Sequence, residues 1–143
     1  MKITVCLLFI FLMSCTINKN NIANANYLLI YENNYNGKEN SSYKIISNYE
    51  DYISEIKQLS ILEEEYNDLL KIDFSSANLI FLYTGEKSTS GYHTKIKKSY
   101  FGDNILYIEK EFVAPNKEDI TLSVITKPIS IYKIVKADSI VVK

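Results

Sequence analysis

The feature that most constrains the fold is the series of short β-type segments in the second half of the chain. From residue 79 onward, runs of β-branched and aromatic residues alternate with short turn signals, which is typical of successive strands. The predicted strands are 79–83, 92–100, 104–112, 121–126, 129–135 and 140–142. The 79–83 segment is apolar throughout, so we expect a strand buried on both faces.

The first half adds two strands and a helical region. Predicted strands at 27–31 and 43–47 flank an Asn/Gly-rich turn, which favours a hairpin. The sequence Ser47-Asn48-Tyr49-Glu50 fits a capping box with Ser47 as the N-cap of a helix. An apolar stripe with helical period follows at Tyr49, Tyr52, Ile53, Ile56 and Leu59. A second stripe is shifted in phase, which predicts a break near Ser60; it consists of Leu62, Tyr66, Leu69 and Leu70.

Together these patterns predict an α+β fold, in which one or two N-terminal helices pack on a mostly antiparallel sheet or small sandwich. The turn at 102–104 also predicts a register. A three-residue loop there places Lys97 opposite Glu109 and Lys95 opposite Glu111, so that opposite charges pair across the hairpin.

The N-terminus has the pattern of a secretion signal. Lys2 precedes an apolar run at 3–13, which is too short for a spanning helix. Leu12-Met13-Ser14-Cys15 resembles the lipobox of bacterial lipoproteins. We therefore expect a signal peptide at 1–14, lipid attachment at Cys15, a flexible tether at 16–26 and one globular domain at 27–143. The expected location is extracytoplasmic, on the cell membrane or outer membrane; the alternative is an ordinary secretory signal with an incidental cysteine.

Composition argues against several classes of function. The 16 lysines are interspersed with 17 acidic residues, and the formal net charge is -1, so we expect no nucleic-acid partner. The two cysteines are Cys6 and Cys15, so the processed domain has no structural disulfide. A length of 143 residues suits a single domain.

The sequence offers few residues for catalysis. His93 is the one histidine, and it alternates with Lys95 and Lys97 on the expected polar face of a strand. The run at 63–65 is acidic, but three adjacent residues on a helix point in different directions. No triad, phosphate loop or set of metal ligands is recognisable, so we expect a non-enzymatic protein with no cofactor and no metal.

The most distinctive segment is the loop at 84–92, which is rich in small residues and ends in Ser90, Gly91 and Tyr92. Gly91 allows a positive φ, and Tyr92 either packs inward or forms a rim. Pro128 cannot donate a ladder hydrogen bond, so it marks a bend before the next strand. Loops on a rigid sheet are common recognition sites, and we therefore take Ser90, Gly91, Tyr92 and Pro128 as the candidate binding residues.

Several of these residues carry a family resemblance. They are Asp73, Phe74, the 79–83 strand, Gly85, Ser90, Gly91, Tyr92, Ile96, Leu106, Ile108, Pro128, Tyr132 and Ile134. Over 49–142 this pattern resembles the C-terminal domain of the protease complex subunit PrcB family. Two departures are Ser90, where that family usually has a first glycine, and Ile129, where it has an aromatic. The resemblance implies a non-catalytic partner in the assembly or stability of an extracytoplasmic protease complex.

A second hypothesis rests on the same loop. The segment ending in Gly91 and Tyr92 is similar to the Thr-Thr-Gly-Tyr loop of chagasin-like inhibitors of cysteine proteases. The chain lacks that family's other Gly-rich loop and its tryptophan. Under either hypothesis the expected partner is an envelope protein or protease, and Cys15 supplies the contact with the membrane.

Overall fold

A computed structural model describes residues 26–59, 61 and 71–143. In this part of the chain, one helix and seven strands occur. They are β1 Tyr27–Asn33, β2 Ser42–Ile46, α1 Tyr49–Gln58, β3 Ala77–Tyr83, β4 His93–Gly102, β5 Ile105–Val113, β6 Ile129–Val135 and β7 Ser139–Val142. The expected signal segment, Cys15, the break near Ser60 and the second helical stripe lie outside the described residues. Among the described residues, no helix is long and apolar enough to cross a membrane.

The strands form two sheets. The first has the order β1-β6-β3-β2, and the second has the order β4-β5-β7. The β5–β7 pair is parallel, and every other pair is antiparallel. The mostly antiparallel α+β fold expected from the sequence is thus confirmed.

The four-stranded sheet is the middle of three layers. Strand β3 is buried along its whole length, as its uninterrupted apolar pattern predicts. Its odd-numbered side chains face α1, in a core of Ile46, Tyr52, Ile56, Leu59, Ile61, Leu79, Phe81, Tyr83, Ile129 and Ile131. Its even-numbered side chains face the second sheet, in a core of Ile80, Leu82, Ile96, Leu106, Ile108, Tyr132 and Ile134. Because β3 and β6 are packed on both sides, they form a rigid centre, and the loops at their ends extend from it.

The predicted hairpin of the first two strands is wrong. Strands β1 and β2 are the opposite edges of their sheet, because β6 and β3 lie between them. The connecting loop instead crosses the end of the sheet. The Gly37 N–H donates to the carbonyl of Lys127 at 2.7 Å, and the Lys127 N–H donates to the carbonyl of Asn34 at 2.7 Å. These long-range bonds satisfy the loop's backbone without direct pairing of β1 with β2.

The helix begins one residue later than the capping box predicts. Asn48 is the N-cap, and its side-chain oxygen accepts the N–H of Asp51 at 2.9 Å. A Ser47 cap would accept the N–H of Glu50, whereas Asn48 accepts that of Asp51, so the helix starts one residue farther along the chain.

The β4–β5 hairpin differs from the predicted register near its tip. Asp103 and Asn104 both have positive φ, 50° and 63°, and they form a two-residue turn rather than a three-residue loop. A β-bulge between Ile96 and Lys98 then shifts the register by one. Lys98 therefore lies opposite Glu109 in place of Lys97, whereas the pairing of Lys95 with Glu111 is confirmed.

The predicted strand at 121–126 does not form. Thr126 makes an isolated bridge with Lys87, and the rest of the segment belongs to the loop between β5 and β6. Its residues have strand-type alternation, but both edges of the adjacent strand β6 are already occupied by β1 and β3. The segment therefore remains outside the sheets, with large aliphatic side chains in solvent.

Candidate functional site

Three loops meet at one end of the four-stranded sheet, which we call the loop end: 34–41, 84–92 and 114–128. Asn26 lies at the other end, where its carbonyl accepts the N–H of Val135 at 2.9 Å. The register pairs Tyr27 with Ile134 and Asn33 with Ile129, so the full length of β1 separates the two ends. At about 3.3 Å per residue this separation is about 20 Å.

Backbone hydrogen bonds hold the three loops together. The Thr84 N–H donates to the carbonyl of Pro128 at 3.0 Å, and the Glu86 N–H donates to the carbonyl of Glu39 at 2.9 Å. The Lys127 ammonium lies 3.4 Å from a carboxylate oxygen of Glu39 and 3.4 Å from one of Glu86. Partial desolvation lowers the pKa of Lys127, but these two carboxylates outweigh it and raise the pKa above its ordinary value. One lysine therefore links all three loops.

The candidate residues from the sequence all lie at this end. Ser90 exchanges two hydrogen bonds with the Leu122 backbone, at 3.0 Å through its N–H and 2.8 Å through its hydroxyl oxygen. Gly91 has φ +94°, and a Cβ there would approach the Pro115 Cβ to 2.9 Å, so only glycine fits without strain. Pro128 is buried beneath the loops and serves as their support.

Tyr92 is half-buried and forms a stacked pair with Phe112, with ring centroids 5.8 Å apart. Phe112 itself is 54% exposed. Phe112, which was not among the residues predicted from the sequence, therefore belongs to this surface, because Tyr92 stacks on its exposed ring.

A larger apolar surface adjoins the candidate residues. Ile120 is 95% exposed, and Leu122 and Ile125 are each 63% exposed. With Val124 they form what we call the aliphatic loop. Sequence reasoning missed it because the alternating pattern of 121–126 predicts a strand, and alternation does not show whether a sheet edge is free to receive the segment.

These features lie within a recognisable segment. Residues 79–135 match the PrcB C-terminal family model. The resemblance stated from the sequence is confirmed over that span, which runs from β3 to β6 and includes the 84–92 loop and the aliphatic loop. The PrcB C-terminal match suggests association with a protease complex subunit. The comparison with curated proteins gave no match, and the comparison with solved structures gave none either.

One buried carboxylate, that of Glu55, has a pKa far below its ordinary value and is enclosed by hydrogen-bond donors. Glu55 of α1 is 1% exposed and accepts hydrogen bonds from Lys38, from Lys44 at 2.5 Å and from the Tyr83 hydroxyl at 2.6 Å. Burial raises its pKa, but the two lysines and Tyr83 outweigh burial and lower the pKa to about 2. We call this the Glu55 network; its helix lies outside the PrcB C-terminal match.

The Glu55 network is suited to structure rather than catalysis. A carboxylate with a pKa of about 2 is a weak base at neutral pH, and its two oxygens are already occupied. Burial and the bond to Glu55 raise the pKa of Tyr83 above its ordinary value, so its phenol stays protonated. The network attaches α1 to β3 and to the loop that follows β1.

The remaining candidates from the sequence are dispersed. His93 is half-buried at the start of β4, opposite Val113. Across residues 26–59, 61 and 71–143, no three His, Cys, Asp or Glu side chains are grouped to hold a metal ion. The acidic run at 63–65 lies outside the described residues.

Proposed function

We propose that this protein is a non-catalytic, lipid-anchored envelope protein that binds a component of an extracytoplasmic protease complex through its loop end. The PrcB C-terminal match supports an association with such a complex. The lipobox-like sequence ending at Cys15 supports anchoring outside the cytoplasm. Binding rather than catalysis accords with the one histidine in the sequence and with the closed Glu55 network.

The observation that carries the proposal is the exposure of the aliphatic loop. Ile120, Leu122 and Ile125 present most of their side-chain surface to solvent, and Phe112 at the same end of the domain is 54% exposed. Contiguous exposed apolar side chains on a soluble domain mark interaction sites. The loop is also held by Ser90 and by the bridge between Lys87 and Thr126, so its binding surface is partly ordered before contact.

The position of the aliphatic loop favours a protein partner over the bilayer. Asn26, where the expected tether joins the domain, lies at the end of β1 opposite the loop end. An anchor at Cys15 would attach that opposite end to the membrane through the flexible tether. The aliphatic loop lies farther from the point of attachment by about the length of β1, roughly 20 Å.

Site-specific photo-crosslinking in intact cells tests the proposed surface. A photoreactive residue at Leu122 should crosslink to an extracytoplasmic protease or a subunit of its complex, identified by mass spectrometry. The matched control is the same residue at Phe101, which is 50% exposed and lies at the far end of the β4–β5 hairpin. Crosslinks to such a protein from Phe101 but not from Leu122, or from neither position, would contradict the proposal.

The anchor is tested separately. Cys15→Ser should move the protein from the membrane fraction to the soluble extracytoplasmic fraction, because the thiol that accepts the lipid is lost. Cys6→Ser is the matched control and should leave the protein in the membrane fraction. Membrane retention of the Cys15→Ser variant would exclude anchoring through that cysteine.

A further inference from the structure

A cleft of about 330 Å³ opens beside the loop end, between the two sheets. Its lining includes Lys87, Lys110 and Lys143, which come from the 84–92 loop, from β5 and from the residue after β7. No acidic side chain is among the lining residues. We call this site the lysine cleft.

Two of these lysines, Lys87 and Lys110, bring uncompensated charge to the cleft. Among the described residues, neither has a carboxylate within ion-pair distance, whereas Lys38, Lys44, Lys95, Lys97, Lys98 and Lys127 all do. The Lys143 ammonium lies beside Tyr107, on the face of β5 opposite to Lys110. Two uncompensated positive charges on one cleft favour an anion between them.

Aromatic rings hold the lysine head groups in place without neutralising them. The Lys87 ammonium lies 5.4 Å from the centroid of Phe112, which also lines the cleft. The Lys110 ammonium likewise lies 5.4 Å from the centroid of Tyr43. Cation–π contacts of this kind restrict the side chains while leaving their positive charge available to a ligand.

The cleft also contains hydroxyl groups. Thr84 and Thr94 are buried, and their hydroxyls hydrogen-bond each other at 3.0 Å. That bond uses one hydroxyl hydrogen, so the other is available to donate to an anion. Ammonium and hydroxyl donors in one cleft are the groups that recognise a carboxylate.

We propose that the lysine cleft binds carboxylates of an acidic peptide segment of the docking partner. The inference rests on the proposed function, because it names the chemistry of the partner at that surface. Phe112 lines the cleft and also adjoins Tyr92 at the loop end. An extended segment with a carboxylate in the cleft therefore places a neighbouring apolar side chain against Phe112.

Fluorescence anisotropy with a fluorescein-labelled hexaglutamate peptide tests this directly. The full-length protein in neutral detergent should bind hexaglutamate, and binding should weaken as salt rises. The double variant Lys87→Gln/Lys110→Gln should weaken binding by about tenfold, since two partly exposed charge pairs are lost. Lys57→Gln on the exposed face of α1 is the matched control and should bind like the unaltered protein. Unchanged far-ultraviolet circular dichroism confirms that each variant is folded.

The outcomes separate the possible ligands. Equal binding by the double variant and the Lys57→Gln control would exclude the lysine cleft. Displacement of hexaglutamate by inorganic tripolyphosphate at concentrations far below those of free glutamate peptides would overturn the carboxylate assignment in favour of phosphate. If the unaltered lysine cleft binds hexaglutamate but Leu122 gives no crosslink to a protease or its complex in cells, the proposed function is refuted. The cleft would then remain an anion-binding site.

Discussion

Two groups of lysines in this domain differ in whether a carboxylate lies beside their ammonium groups. In the Glu55 network, Lys38 and Lys44 converge on one buried carboxylate. In the lysine cleft, Lys87 and Lys110 line a space with no acidic side chain. The side chains of both groups reach solvent, so exposure alone does not separate them.

The difference shows how placement decides the role of the same residue type. A carboxylate inside the layer between α1 and β3 needs partners, and the two lysines of the Glu55 network supply them together with Tyr83. The lysine cleft opens at an edge, where water solvates the ammonium groups until a ligand replaces it. We therefore expect changes in the Glu55 network to alter stability and changes in the lysine cleft to alter binding.

The largest effect on stability is expected for Glu55→Gln. The variant keeps an acceptor for the Tyr83 hydroxyl but loses the charge that both lysines meet. The lysines are 39% and 43% exposed and regain water, so the free energy of unfolding should fall by about 2–3 kcal/mol, less than for a wholly buried pair. Urea denaturation measures this, with the exposed Glu118→Gln as the control. A loss no greater than that of the control would mean that the Glu55 network is not structural.

The Glu55 network should also make stability depend on pH. The pKa of Glu55 in the folded protein is about 2, below its ordinary value of 4.5. A lowered pKa adds stability that is complete above about pH 4.5 and is lost as the pH falls toward 2, an amount of roughly 3 kcal/mol. Urea midpoints at a series of pH values from 6 to about 2.5 should fall more steeply for the unaltered protein than for Glu55→Gln. Parallel profiles for the two proteins would contradict this account.

Lys44→Gln should have a smaller effect of the same sign. Lys44 makes one of the two ion pairs to Glu55, and Lys38 remains to compensate the carboxylate. Because Lys44 is 43% exposed, solvent screening limits the expected loss to about 1 kcal/mol in the free energy of unfolding. The urea midpoint should fall between those of Glu55→Gln and the unaltered protein. A gain in stability would show that burial of the pair costs more than the pair contributes.

Tyr92→Ala tests whether the Tyr92–Phe112 pair at the loop end supports the neighbouring lysine cleft. Removal of the ring that stacks on Phe112 should lower the free energy of unfolding by about 1 kcal/mol. It should also weaken hexaglutamate binding, less than the double lysine variant does, because Phe112 positions Lys87. Tyr35→Ala, at an exposed tyrosine on the neighbouring loop, is the control for both measurements. Binding that is unaffected would mean that Phe112 holds its place without Tyr92.

The strands of the central sheet were predictable because a continuous apolar run is stable only where both of its faces are buried. An apolar run such as 79–83 must bury both faces, and the bounds predicted for β6, 129–135, match those of the structure. The hairpin prediction for the first two strands failed because a turn signal is local. It does not show that β6 and β3 lie between β1 and β2 in the sheet. The 121–126 prediction failed because alternation shows that a segment suits a strand, not that a partner edge is free.

The two lysine groups illustrate what sequence patterns omit. Glu55 follows Tyr52 by three residues and precedes Ile56, so it lies on the buried face of α1, which the stripe predicted from apolar residues alone did not include. Lys87 and Lys110 are far apart in the sequence and line one cleft because β5 pairs with β4, the strand that follows the 84–92 loop. Even spacing of lysines along a chain therefore does not exclude a basic site in the folded protein.

The smallest stability effect is expected for Lys110→Gln, and it gives the sharpest contrast with Lys44→Gln. Lys110 has no carboxylate partner among the described residues, and it shares the lysine cleft with the like charge of Lys87. Its removal relieves repulsion and loses one cation–π contact with Tyr43, so the free energy of unfolding should stay within about 0.5 kcal/mol of the original. Any gain should shrink as sodium chloride is added to the urea titration, because salt already screens the repulsion. A loss as large as that of Lys44→Gln would show that Lys110 is structural, and the distinction between the two lysine groups would then not hold.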